Sequence, residues 1–240
     1  MKKPIIGIVL DWHEKGGFSN YEYFALRTHY VKATRLAGGT PWLIPYCNPD
    51  EVKEYLDKID GLIVPGGFYK TPNSWYHNDL DTSPYQKSPR FIFEEALIKE
   101  ALKQDMPFFG ICAGMQVLGG ILGCKLTGNI HKYLKTPLQH FGYTKNHDII
   151  IESNSLLHNI VGKNIISVNS DHNEAIVEVS DKVNISAKAS DGCIEAIEVK
   201  DKKFAIGVQW HPDFACYKQE QITDFNPDFE IFKKFIQACN

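Results

Sequence analysis

The stretch GICAGMQVLGG, residues 110–120, follows the apolar run MPFFG and sets a cysteine where the chain turns from strand into helix. Gly110 and Gly114 lie two residues either side of Cys112, the G-x-nucleophile-x-G spacing of a strained strand–helix elbow. Such an elbow exposes its central side chain at the carboxyl end of a sheet, where open α/β sheets bind ligands. The helix that follows aims its N-terminus at the sulfur, which favours thiolate over thiol. Alone, the pentapeptide also fits an ordinary glycine-rich turn.

Upstream, short apolar runs alternate with helical patterns. IIGIVL (5–10) reads as a strand, and TPWLIP (40–45) as a second. Between them, Tyr23, Leu26, Tyr30, Ala33 and Ala37 share one helical face that stops at Gly38-Gly39. Asn48-Pro49-Asp50-Glu51 has the order of a capped, proline-started helix. GLIV (61–64) is a third strand ending in Pro65-Gly66-Gly67, and a polar stretch over 68–88 reads as a functional or mobile loop. Ser88-Pro89 opens a helix bearing Phe93, Ala96, Leu97, Glu100 and Ala101, before a fourth strand over 107–111. This alternation predicts a parallel sheet covered by helices on both faces.

Beyond the elbow, HDIIIE, IISVNS, AIVEVS, NISAKAS, IEAIEV and FAIGVQW follow one another as closely spaced strands, an antiparallel or mixed extension. A final helix starts at Asn226-Pro227 and buries Phe229, Phe232 and Ile236. No linker, repeat or low-complexity tract divides the chain. The expectation is one α/β domain over residues 1–240: a three-layer sandwich with a mostly parallel central sheet and an antiparallel extension.

Composition narrows the function. The 240 residues are 43% apolar and 23% charged, with a net charge of −3 and no basic stripe, which argues against a nucleic-acid partner. The N-terminal MKKPIIGIVLDWHEK is too short in its apolar run for a signal peptide, and no stretch is long enough to span a membrane. A cytoplasmic protein without a membrane partner is expected. The cysteines at 47, 112, 124, 193, 216 and 239 include no CxxC pair, and no ligands pair at the short intervals of a zinc site, so neither metal nor cofactor is expected.

A cysteine nucleophile needs an oriented base. GVQWHPD (207–213) ends a strand at His211, with Asp213 two residues on and able to share its face. Acyl transfer also needs oxyanion donors; the Gly67 amide, at the end of a parallel strand, and the Ala113 amide would lie at the same sheet edge. The His-x-Asp pair alone also fits a helix cap or a surface pair, and Pro-Gly-Gly alone a plain turn.

Together these motifs resemble the class I glutamine amidotransferase superfamily, marked by a PGG loop, a G-x-C-x-G elbow and a terminal His-Pro-Glu. FALRTHYVKATRLAGGTPWLIP, IDGLIVPGGFY, RFIFEEALIKEALKQDMPFFGICAGMQVLGGILGCKL, VNSDHNEAI and GVQWHPD extend the resemblance to the gamma-glutamyl-gamma-aminobutyrate hydrolase branch, with its flavodoxin-like fold. The resemblance implies a cysteine hydrolase without cofactors, cutting a gamma-glutamyl amide of a small-molecule substrate through a glutamyl thioester. Cys112 would attack, His211 would move the proton, Asp213 would orient it, and Gly67 and Ala113 would hold the oxyanion. Gly66, Gln116, Ser170, Asp171 and His172 match the segments lining the glutamyl pocket. Whether a second copy of the chain joins it as a homodimer is left open by the sequence. His172 also reads as a satisfied polar residue at a strand end.

Four departures stand out: Asp213 for the usual glutamate, Ala113 for arginine, SDHNEA for a serine-aromatic-His-His-Gln pattern, and Gly119-Gly120 for Asn-Val. They leave two other readings open. One is a glutaminase subunit feeding a separate synthase; the other is a non-catalytic binder of glutamylated ligands.

Overall fold

The computed structural model describes residues 2–17, 19–67, 71–77, 89–142, 146–217, 221–222 and 224–240. In chain order these form β1 (Ile5–Val9), β2 (Asp11–His13), β3 (Tyr23–Ala25), α1 (Thr28–Leu36), β4 (Thr40–Ile44), α2 (Val52–Leu56) and β5 (Gly61–Val64). Then come α3 (Pro89–Lys103), β6 (Phe108–Ile111), α4 (Ala113–Ile121), β7 (Lys125–Thr127), α5 (Ile130–Leu134), β8 (Asn146–Ile151) and α6 (Leu156–Val161). The last part comprises β9 (Ile165–Asn169), β10 (Ala175–Glu178), β11 (Val183–Ala189), β12 (Ile194–Val199), β13 (Ala205–Val208), a 3₁₀ turn (Pro212–Cys216) and α7 (Pro227–Ala238).

Nine strands form one sheet in the order β4-β1-β5-β6-β13-β12-β11-β8-β9. The five from β4 to β13 run parallel, and the remaining pairs are antiparallel. Strand alternation splits the interior into two cores. Ile63, Phe109, Ile111, Ile206 and Val208 face one side, with α1, α6 and α7. Leu62, Val64, Phe108 and Ala205 face the other, with α2, α3 and α4. Phe232 of α7 meets Phe109 edge-on at 5.3 Å, and truncating such a buried ring to alanine costs about 3–5 kcal/mol. Asn226 caps α7 by accepting from the Phe229 amide at 3.1 Å, with Pro227 at its first turn. Among the described residues no helix is long and apolar enough to cross a membrane.

The first helix differs from its expected start. The pattern placed Tyr23 on a helical face, yet Tyr23–Ala25 pairs antiparallel with Asp11–His13, and α1 begins only at Thr28. Tyr23 stacks on His13 at 5.1 Å, so the aromatic-rich YEYF run follows its strand propensity. Its stop is as expected, with Gly38 at φ +101°. AIVEVS is a strand but leaves the main sheet to pair with β7. FAIGVQW joins β6 in parallel and closes the parallel half. Of the polar stretch 68–88, residues 68–70 and 78–88, including Ser88, lie outside the described residues. Asn73–Trp75 within it forms a 3₁₀ turn.

Candidate active site

Cys112 sits between β6 and α4 at φ 53°, ψ −109°, a backbone state that costs a non-glycine residue about 1–3 kcal/mol. A neighbouring strand and the helix it opens hold it there: its amide donates to the Val208 carbonyl of β13 at 2.7 Å, and its carbonyl accepts from the Met115 amide of α4 at 3.0 Å. The flanking glycines are required by contact. A Cβ on Gly110 would lie 2.8 Å from the Gly114 carbonyl, and one on Gly114 would run into the Val64 carbonyl oxygen. Gln209 Nε2 approaches the Cys112 sulfur as a donor at 3.7 Å.

His211 follows β13 and is clamped by one side chain. Its amide donates to Asn169 Oδ1 at 3.0 Å, and its carbonyl accepts from Asn169 Nδ2 at 2.8 Å. Phe214 stacks on the ring at 5.2 Å. Three groups converge on His211 Nδ1: Arg27 Nη2 at 3.1 Å, Asp213 Oδ1 at 3.4 Å and the Tyr30 hydroxyl at 3.5 Å. Arg27 carries only donors, so its contact suits a neutral ring with a lone pair on Nδ1. Asp213 suits the protonated ring. Burial pulls the His211 pKa down, but the charge on Cys112 and the Asp213 carboxylate outweigh it and raise the imidazole to about 9.

Asp213 is fully buried, and its second oxygen lies 3.5 Å from His29 Nδ1. Neither carboxylate oxygen has an aligned hydrogen-bond partner among the described residues. Burial pushes this carboxyl up, but His211 and His29 overcome that and hold it below its ordinary value. The shorter acid therefore reaches the imidazole as a charge partner, at the long edge of hydrogen-bond range.

The Pro65-Gly66-Gly67 turn comes between the two. A Cβ on Gly66 would lie 2.7 Å from His211 Cε1 and 3.2 Å from Cys112 Cβ. The glycine thus brings base and cysteine to one point. Its amide donates to the Tyr30 hydroxyl at 3.2 Å. Arg90, buried on α3, pins the turn by donating to the Pro65 carbonyl at 2.8 Å, and is itself held by Glu94 and Asp11 at 2.8 and 3.0 Å. A side chain on Gly67 would collide with the Arg90 guanidinium.

These groups open onto a cavity of about 680 Å³. Cys112, His211, Gly66, Gly67 and Ala113 line it, as do Gln116, Asp171 and His172. Gln116 Nε2 donates to the Glu174 carbonyl at 2.9 Å and to Gln209 Oε1 at 3.2 Å. Asp171 accepts from the Gly142 amide at 3.2 Å. Glu174 also lines the cavity; burial raises its carboxyl, and the Tyr76 hydroxyl donates to it at 2.7 Å.

Two expected pocket residues have their polar atoms engaged away from the cavity. Ser170 is completely buried and donates to the His140 carbonyl at 2.8 Å, bracing the wall from behind. His172 borders the cavity, but its nitrogens turn inward: Nδ1 donates to the Glu174 carbonyl at 2.9 Å and Nε2 lies 3.6 Å from Glu195. Arg27, His29, Arg90 and Gln209 carry no signal of their own in the sequence, and Tyr30 reads there only as part of a helical face. Only their place in the FALRTHY, RFIFEEA and GVQWHPD segments connected them to the site.

The peptidase C26 family model matches residues 4–213. A glutamine amidotransferase-like protein of Rickettsia prowazekii is 31% identical, with 99% of this chain and 98% of the relative aligned. The gamma-glutamyl-gamma-aminobutyrate hydrolase of Escherichia coli K12 is 28% identical over all of this chain and 94% of its own. Among solved structures, the glutaminase domain of Trypanosoma brucei CTPS has the same fold, with a TM-score of 0.66 at 18% identity over 98% of this chain and 93% of that one. The chain belongs to the peptidase C26 family, within the class I glutamine amidotransferase-like superfamily.

Proposed function

We propose that this protein hydrolyses gamma-glutamyl amide bonds, with Cys112 as nucleophile and His211 as its proton carrier. The observation that carries the reading is Gly66, whose missing side chain lets His211 and the strained Cys112 approach one spot at the cavity mouth. Cys112 attacks the glutamyl δ-carbonyl, and the oxyanion takes hydrogen bonds from the Gly67 and Ala113 amides. His211 gives its proton to the departing amine, then takes one from the water that attacks the thioester carbonyl. The sulfur leaves as glutamate is released. Asp213 holds the imidazolium by charge, without a short hydrogen bond.

The glutamyl group carries an α-carboxylate and an α-ammonium, and the cavity offers both complements. Arg27 lines it as a partner for the carboxylate, and Asp171 and Glu174 line it as partners for the ammonium. The remaining volume receives the amine half. Incubating the protein with gamma-glutamyl amides and measuring free glutamate tests the reading. The wild type releases glutamate and Cys112→Ala does not. Equal release by both, or none by either while a glutamine-like electrophile leaves Cys112 unlabelled, overturns it.

A further inference from the structure

Behind the cavity wall lies a second cluster of reactive side chains. His140, His172, Cys193 and Glu195 are all buried, and one ligand atom from each lies within 4.8 Å of every other. His140 Nδ1 is 3.4 Å and His172 Nε2 3.6 Å from Glu195 Oε1. The edges of a tetrahedral zinc site with nitrogen and oxygen ligands are about 3.4 Å, from metal–ligand bonds of about 2.1 Å. The ligand atoms therefore stand close to coordinating distance from one centre.

Hydrogen bonding among the described residues leaves this cluster unsatisfied. His140 Nδ1, His172 Nε2 and Glu195 Oε2 have no aligned partner. The outer nitrogens, by contrast, are engaged. His140 Nε2 donates to Asp191 Oδ2 at 2.9 Å, and His172 Nδ1 donates to the Glu174 carbonyl at 2.9 Å. Each ring thus presents its lone pair inward, the tautomer a metal requires, and the acceptor behind it is of the kind that orients metal-bound histidines. His147 Nε2 fixes Glu195 by donating to Oε1 at 3.1 Å, and Asp191 accepts the Cys193 amide at 3.0 Å.

We propose that His140, His172, Cys193 and Glu195 form a structural zinc site behind the wall of the cavity. One thiolate and one carboxylate neutralise a dication, so the filled site adds no net charge to the interior. The mixture of imidazole, thiolate and carboxylate suits zinc, and four protein ligands in a closed environment describe a structural rather than a catalytic ion. The ligands come from the segment after α5, the β9–β10 connection and the start of β12. Zinc would tie these together and fix Asp171, Asn173 and Glu174, which line the cavity. The site is not visible in cysteine spacing because three separate segments supply it. Cys193 and Glu195 alone are local, two residues apart on one strand face.

Full-length protein, made without a metal-affinity tag in zinc-supplemented medium, is passed through gel filtration and its zinc measured by elemental analysis. One zinc per chain is expected. Cobalt added to metal-free protein then gives the bands of a four-coordinate thiolate complex. Cys193→Ser removes the thiolate-to-cobalt band, whereas Cys112→Ser keeps it. Asp191→Asn, which touches no metal, lowers zinc affinity about 10–100-fold. Absence of stoichiometric zinc, or a cobalt band that survives Cys193→Ser and disappears with Cys112→Ser, overturns the proposal. Should Cys193→Ser misfold, wild-type stoichiometry and the Asp191→Asn affinity still decide it.

Discussion

The parallel and antiparallel halves of the sheet handle their reactive side chains in opposite ways. In the parallel half, Cys112, His211 and the Gly66-Gly67 turn follow the ends of β6, β13 and β5 and face a cavity. In the antiparallel half, His140, His147, His172 and Glu195 are packed inside the wall, facing one another. The first set lines the cavity and carries its backbone strain at Cys112. The second turns its nitrogens and carboxylate away from the cavity and is held by hydrogen bonds within the wall. On the proposed reading, chemistry at strand ends serves the reaction, and chemistry inside the wall serves its shape.

Removing one residue from each set breaks the comparison most directly. Cys112→Ala deletes the proposed nucleophile and lowers gamma-glutamyl amide hydrolysis about 10⁴-fold or more, while thermal unfolding changes little. Glu195→Ala does the reverse. It leaves the His147 Nε2–H buried without its acceptor and removes one of the four proposed zinc ligands, and stability falls by about 3 kcal/mol or more in denaturant unfolding. If Glu195→Ala instead lost activity with stability intact, the inner cluster would belong to the chemistry.

How much of this could be read in the sequence follows the same division. The elbow, the Pro-Gly-Gly turn and His211 are each specified within seven residues, because strand ends are local and their order sets the shared edge. The fold was legible for the same reason: β5, β6 and β13 are short apolar runs with clear stops. β3 was not, since Tyr23 fits a helical face as well as a strand, and only its pairing with His13 decides between them. Ser170 and His172 were assigned to the pocket by motif, but sequence cannot say which way a side chain at a strand end turns. Arg90 and Tyr30 remained hidden because their partners, Pro65 and Gly66, lie on other elements.

Gly66→Ala sharpens the account of the strand-end set. Its Cβ must displace the His211 ring and crowds the Cys112 side chain. A shift of about 1 Å between reacting groups costs about 10²-fold in kcat/KM. The variant should remain folded, so circular dichroism matching wild type beside that loss is the expected result. Wild-type turnover would show that base and cysteine do not need this approach.

The smallest effect separates the two partners of His211 Nδ1. Below about pH 9 the ring keeps its proton and can give it to the leaving amine; as pH rises through that value the proton is lost, and activity falls. Asp213→Asn removes a charge that favours the imidazolium, so the basic limb of kcat/KM moves to lower pH. The charge on Cys112 still opposes the downward pull of burial. Arg27→Met removes an opposing cation 3.1 Å from the ring, and the limb moves up. The shifts are opposite in sign because carboxylate and guanidinium compete for one nitrogen. Asp213 and Arg27 variants that moved the limb in the same direction would mean that the 3.4 Å contact to Asp213 does not set the charge of this histidine.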